Sequence, residues 1–388
     1  LLGRAHGLLP AGDRRRLALV PEMAQVLTET GEIARAEKLL TGAIDAARGE
    51  EDRGLEAHAR IVLLLLKATT DPEHRSEEAM ETLESVIPVL EELGDDVGLA
   101  RAYRLLGDVH WTRSNYANAD RALEEATEHA RKAGAEYEEA ESLRLYAGSG
   151  LYGPAPVADV VRRCEKIMEV AKGNPMAEAG AIRSLGVLNA MQGRIDEGRT
   201  LVRRSAEILE DHGLKMRATF VSEAAGFVET LAGDHAAAER ALRTGHEEAS
   251  RLGDLGYQST AAALVAHAIC AQGRFEEAED FCGIAERIGA EDDLATQVLW
   301  RSARAKVLAA RGERAEAADL ARKAVELAER TDDINMCADT LMDLARVLSG
   351  AGDSSEAVDA LRRARELYLR KGNLVSAALA DRLEGAAR

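Results

Sequence analysis

The run Gly148-Ser149-Gly150-Leu151-Tyr152-Gly153 spaces its glycines as a dinucleotide-binding loop does. In that chemistry the glycines let backbone N–H groups approach a pyrophosphate, with a strand before the loop and a helix N-terminus after it. Residues 137–147 are instead charged and helix-like, so the run reads as a turn between two helices. No G-x-x-x-x-G-K-[ST] accompanies it. His246-Glu247-Glu248-Ala249-Ser250 opens like a zinc-protease helix but carries Ser where the second imidazole must stand. Two ligands on one helical face are the minimum for that site. The nine histidines form no local ligand cluster, and no G-x-S-x-G elbow occurs. Cys164, Cys270, Cys282 and Cys337 sit singly in helical patterns, which reads as buried reduced thiols. The expectation is a non-enzymatic chain with no cofactor and no metal.

The elements that would position any site are set by a repeat. Residues 181–214 read as a helix, a turn at Gly193 and a returning helix. Turn glycines at Gly193, Gly233, Gly273, Gly312 and Gly352 follow at intervals of 40, 40, 39 and 40 residues. A period in that range marks a stacked array. Seven residues before each turn stand Gly186, Gly226, Ala266, Ala305 and Ala345; five after stand Gly198, Ala238, Ala278, Ala317 and Ala357. Twelve after stand Ser205, Gly245, Ala285, Ala324 and Ala364. Small residues at every one of these places mean close helix–helix approach, because any larger side chain would force the axes apart.

The front of the chain follows the same beat less strictly. Gly31 turns a first unit, with Ala24, Ala36 and Ala43 at the matching offsets. A second unit pairs 55–67 with 76–93 across a lengthened turn at 69–74 that includes Asp71-Pro72, and Pro88 predicts a bend in the return helix. In the third, Ser114-Asn115 replace the turn glycine. The fourth, 136–173, breaks the pattern: its turn is placed at 148–154, with Val157, Val161 and Cys164 at the packing offsets. Gly372-Asn373 ends the ninth unit, and 374–387 reads as a capping helix or the first half of a tenth unit, with the cap preferred.

Leu106-Gly107, Tyr116, Ala119 and Ala126 in the third unit resemble the tetratricopeptide repeat. The fold class is therefore all-α: a right-handed α-α superhelix of about nine helix pairs. One solenoid would fill the chain, with a front group at about 13–134, an irregular unit at about 136–174, regular units at about 175–372 and a terminal helix at 374–387. The ~40-residue unit, longer than the family's usual 34, together with the opening residues, also resembles the C-terminal arrays of large bacterial signalling ATPases. That resemblance implies a sensor arm acting on an upstream NTPase domain of the same chain.

In tetratricopeptide arrays the first helix of each pair lines the inner groove. Projected from each turn, the groove-facing set is Arg101, Arg104, Asp108 and Trp111, then Arg183, then Phe220, Glu223 and Phe227, then His267, Lys306 and Arg346. An aromatic beside Arg at such a place resembles a peptide anchor, although packing on neighbouring helices is the plainer reading. Arg101, Arg104 and Asp108 do not reproduce the family's Lys/Asn carboxylate clamp. The expected partner is a protein or peptide in the concave groove, and the alternative is a small molecule or sugar. An enclosed apolar pocket at units five to seven would favour that alternative, and an open charged groove a peptide. A net charge of −18 argues against direct nucleic-acid binding. The longest apolar run, 61–66, is too short to span a bilayer, and a cytoplasmic location is expected. Without an initiator Met, the chain reads as a piece of a longer protein.

Overall fold

The computed structural model describes residue 4 and residues 7–10, 13–70, 75–351 and 354–387. All regular structure among them is α-helical. After a short helix, Arg14–Ala18, nine antiparallel pairs follow. The first helices of units one to nine are Val20–Glu29, Arg53–Thr70, Asp96–Thr112, Glu136–Tyr152, Pro175–Met191, Lys215–Ala232, Leu255–Cys270, Leu294–Arg311 and Ile334–Ala351. Each returns through a second helix, and Leu374–Ala387 closes the series. The fold is a tetratricopeptide-like solenoid.

The period has a stereochemical cause. Gly193, Gly233, Gly273 and Gly312 all take positive φ, at 85°, 78°, 76° and 86°, where a side chain would be strained. In the third unit Ser114 adopts φ 48° in their place. A second comb lies between units: Gly94, Gly134, Gly173, Gly213 and Gly253 also have positive φ. Asp follows several of these glycines and starts the next helix. Asp95, Asp234 and Asp254 accept the backbone N–H of Gly98, Ala237 and Tyr257, which supplies an N-cap. The small-residue ladder is buried: a Cβ on Gly198 would lie 2.7 Å from the Gly186 carbonyl oxygen, and one on Gly226 2.5 Å from Leu242.

Three details differ from expectation. The helix Glu136–Tyr152 runs straight through the glycine-rich run, and the chain turns only after it, around Gly153 and Pro154. Each glycine there is a packing residue. A Cβ on Gly148 would meet the Trp111 ring at 2.9 Å, one on Gly150 would meet Val160 at 2.8 Å, and one on Gly153 would meet Tyr116 at 2.8 Å. Val160, not Val161, takes the buried offset beside Val157 and Cys164. Pro88 lies inside the return helix of unit two, Arg75–Leu93, where the sequence places it. Of the cysteines, Cys337 is only partly buried. The expected turn at Asp71-Pro72 and the last turn glycine, Gly352, lie outside the described residues.

The superhelix closes on itself after five units. The first helix of unit two touches that of unit seven, unit four touches unit nine, and unit five touches Leu374–Ala387, which takes the place of a tenth first helix. Loops of one turn are bonded to the turn below. Asp332 accepts the backbone N–H of Tyr116 at 2.7 Å and of Ala117 at 2.8 Å, capping the third unit's return helix. Lys371, fully buried, donates to the carbonyl oxygens of Gly150, Gly153 and Ala155 at 2.8, 2.6 and 2.9 Å. Gln192 donates to the carbonyl of Gly372. What the repeat predicts as a groove is therefore curled into a lumen, lined mainly by first helices and partly open to solvent. No described helix is long and apolar enough to cross a membrane.

Candidate ligand-binding lumen

The first helices line a partly open cavity of about 1060 Å³ that runs from Gln25 in unit one to Arg382 in the last helix. Small-molecule sites usually hold about 300–1,000 Å³, so this one stands at the upper edge of that range and is drawn out along many helices. Nine of the thirteen aromatic residues (two Trp, seven Tyr, four Phe) line it. In a chain so poor in rings, that concentration separates the lumen from the ordinary core.

Ten of the eleven groove positions expected from the repeat face this space: Arg104, Asp108, Trp111, Arg183, Phe220, Glu223, Phe227, His267, Lys306 and Arg346. The exception is Arg101, which lies behind the wall. Its Nε donates to Glu138 at 2.8 Å, and its other nitrogens reach Glu22 at 2.7 Å and His58 at 2.9 Å. The aromatic residues are not free anchors either. Trp111 packs against Tyr116 and Tyr152 with centroids 5.3 and 5.5 Å away, and Tyr152 continues to Phe227 at 6.3 Å. The result is a continuous aromatic strip on the lumen wall.

Two charged zones flank the strip. Toward units four to six, Glu141 pairs with Arg144 at 3.0 Å and with Arg217 at 2.9 Å. Burial opposes ionisation of Glu141, but the two guanidinium groups outweigh it and hold the carboxyl at about 2. Glu223 accepts the Tyr152 hydroxyl at 2.8 Å, and burial pushes its carboxyl above the usual range. Toward units seven to nine, Lys306 bridges Asp343 and His267 at 2.8 and 2.9 Å. Because Lys306 donates to Nδ1 of His267, the proton lies on Nε2, which donates to the Leu299 carbonyl at 2.9 Å. Burial, then Lys306, draws this ring down to about 4. Burial also lifts the neighbouring Asp339, bonded to the Tyr368 hydroxyl, to about 6.

These two shifts act in opposite senses. Protonated Asp339 contributes stability that is complete below its ordinary 3.8 and lost as pH rises through about 6. Neutral His267 contributes stability that is present above 6.5 and lost as pH falls through about 4. Between pH 4 and 6 they offset each other. Asp339→Asn removes the first slope, so its melting temperature should fall more steeply than the parent's as pH drops from 6.5 to 4.5. The gap corresponds to at most roughly 3 kcal/mol, at 1.36 kcal/mol per unit. Parallel melting curves would rule this assignment out.

Arg144, Glu141, Tyr152, Arg217, Asp339 and Asp343 are lumen residues absent from the expected set. Asp339 stands thirteen residues before Gly352, the same offset that Phe220 has from Gly233, so the period contained that signal. Arg144, Glu141 and Tyr152 lie in the unit whose turn glycine is missing, and no offset could be counted there.

The sequence profile of the tetratricopeptide repeat family matches residues 296–370. No curated protein matches. Among solved structures the chain is similar to the Rap conjugation gene regulator of the plasmid pLS20 in complex with the Phr* peptide. The TM-score is 0.51 and the identity 13%, covering 93% of this chain and 97% of that one. It is also similar to a Rap protein complexed with competence and sporulation factor (TM-score 0.49, 14% identity, 96% and 97% covered). A third is NprR with its cognate peptide NprX (TM-score 0.48, 15% identity, 69% and 82% covered). At such identities the likeness concerns the fold.

Proposed function

We propose that this protein is a non-enzymatic receptor that holds a short peptide in the lumen of its superhelix. The observation that supports this most is the lumen itself, an elongated space of about 1060 Å³ whose aromatic strip runs between two zones of buried ion pairs. Aromatic surface provides apolar contact at little entropic cost, and the flanking charges provide orientation. Similar proteins described in complex with peptides agree with that reading. The wider role is regulatory: occupancy of the lumen ties successive turns of the superhelix together.

Intrinsic fluorescence gives a direct test, because the chain has two tryptophans and Trp300 is buried away from the lumen. Titration with pools of random pentapeptides should change the emission of the parent protein. Trp111→Phe, which keeps a ring in the strip, should lose that change while retaining binding by equilibrium dialysis. If dialysis detects no binding from any pool, the peptide reading is wrong.

A further inference from the structure

Arg183 is 5% exposed, yet its guanidinium meets no carboxylate among the described residues. Its one hydrogen bond is a long one, 3.4 Å to the Phe220 carbonyl oxygen. The group lies over the Phe220 ring at 5.7 Å, and Arg144 approaches the same ring at 5.8 Å. Glu141 already serves Arg144 and Arg217. Glu223 receives the Tyr152 hydroxyl and feels the Arg183 charge at longer range, with no ion pair between the two among the described residues. Asp108 faces the lumen from the helix that carries Trp111. Arg183 is thus a buried cation with no carboxylate bonded to it among the described residues, and an incompletely compensated buried charge is costly. The backbone is cleared for this arrangement as well. A Cβ on Gly148 would lie 3.1 Å from an Arg183 guanidinium nitrogen and 2.9 Å from the Trp111 ring.

We infer that Arg183, between Phe220 and Trp111, is a carboxylate subsite of the lumen, taking a carboxylate joined to an apolar or aromatic group. Planar guanidinium matches carboxylate in a bidentate fork, and charge-assisted bonds of this kind are strengthened where water is excluded. Within the proposed peptide receptor, the carboxylate would belong either to the peptide's C-terminus or to an acidic side chain. The inference rests on the peptide reading only for that choice, since any carboxylate of this shape meets the same groups.

Phenylacetate and its neutral isostere phenylacetamide separate the charge from the ring. Titrated by saturation-transfer NMR, the parent protein should bind phenylacetate at least tenfold more tightly, and Arg183→Gln should abolish the preference. Equal binding of the two, binding of neither, or a preference that survives the substitution overturns the subsite. The parent comparison needs no variant, so a poorly folding substitution leaves the test intact. Pentapeptide pools lacking Asp and Glu, as free acids and as C-terminal amides, then locate the source. Preference for the free acids assigns the terminus. Recovery of amide binding by one internal Glu assigns the side chain. Phenylacetate binding with no pool bound keeps the subsite and removes the peptide reading.

Discussion

Glu138→Ala should destabilise the protein by about 3–5 kcal/mol, the usual cost of removing one partner from a buried ion pair. Glu138 is 2% exposed and accepts from Arg101 Nε at 2.8 Å, Arg104 Nε at 2.9 Å and Gln25 Nε2 at 2.8 Å. Those donors come from units three and one, while the acceptor stands on unit four, so a single carboxylate ties three first helices at the lumen wall. Burial opposes its ionisation, but Arg104 and Arg101 outweigh burial and hold the carboxyl below its ordinary range. After truncation Arg101 keeps Glu22, whereas Arg104, 6% exposed, loses the carboxylate it is bonded to. Glu138→Gln retains one acceptor and should lose less. Denaturant midpoints at constant m-value measure both. A loss below about 1 kcal/mol for the alanine variant would mean that the two guanidinium groups find other partners, and the wall would not depend on this carboxylate.

The contrast between what the sequence reveals and what it hides follows from the physics of each feature. Turn glycines are legible because positive φ admits few residues, and small ladder residues because two backbones within contact distance admit no side chain. Both constraints are local and repeat every unit. The run from Gly148 to Gly153 misleads for the same reason. Glycine there serves close approach by Trp111, Val160 and Tyr116 from other helices, and nothing in a lone segment distinguishes that use from a turn. Closure after five units is a different kind of property. It sums small rotations between neighbours, and its bonds come from Asp332, Lys371 and Gln192, single polar residues in a loop and at helix ends with no periodic mark. Offsets from the turns carry the groove set into the lumen in the regular units. Pairing of those residues with one another, as for Lys306 with Asp343, appears only once the helices are stacked.

Lys371→Met should cost on the order of 3 kcal/mol, because it keeps the apolar stem but leaves three buried carbonyls without their donor, each worth about 1–3 kcal/mol before relief of the ammonium's own burial. The carbonyls need that donor for a specific reason. The α-helical partner of the Gly150 oxygen would be the N–H of residue 154, which is proline and has none. The Lys371 ammonium takes that place from five units away, and also reaches Gly153 and Ala155. Burial draws the amine below its ordinary range, so the bond set must offset a real desolvation cost. Loss of the clasp should therefore show in two measurements: a lower denaturant midpoint, and faster amide exchange in Glu136–Tyr152 and Leu374–Ala387 than in the helices of unit six, which carry no such clasp. Small-angle scattering should record a wider superhelix, since the Asp332 cap holds only the turn beside it. An unchanged radius with uniformly faster exchange would mean that Lys371 contributes to global stability alone and that closure of the lumen is set by helix packing.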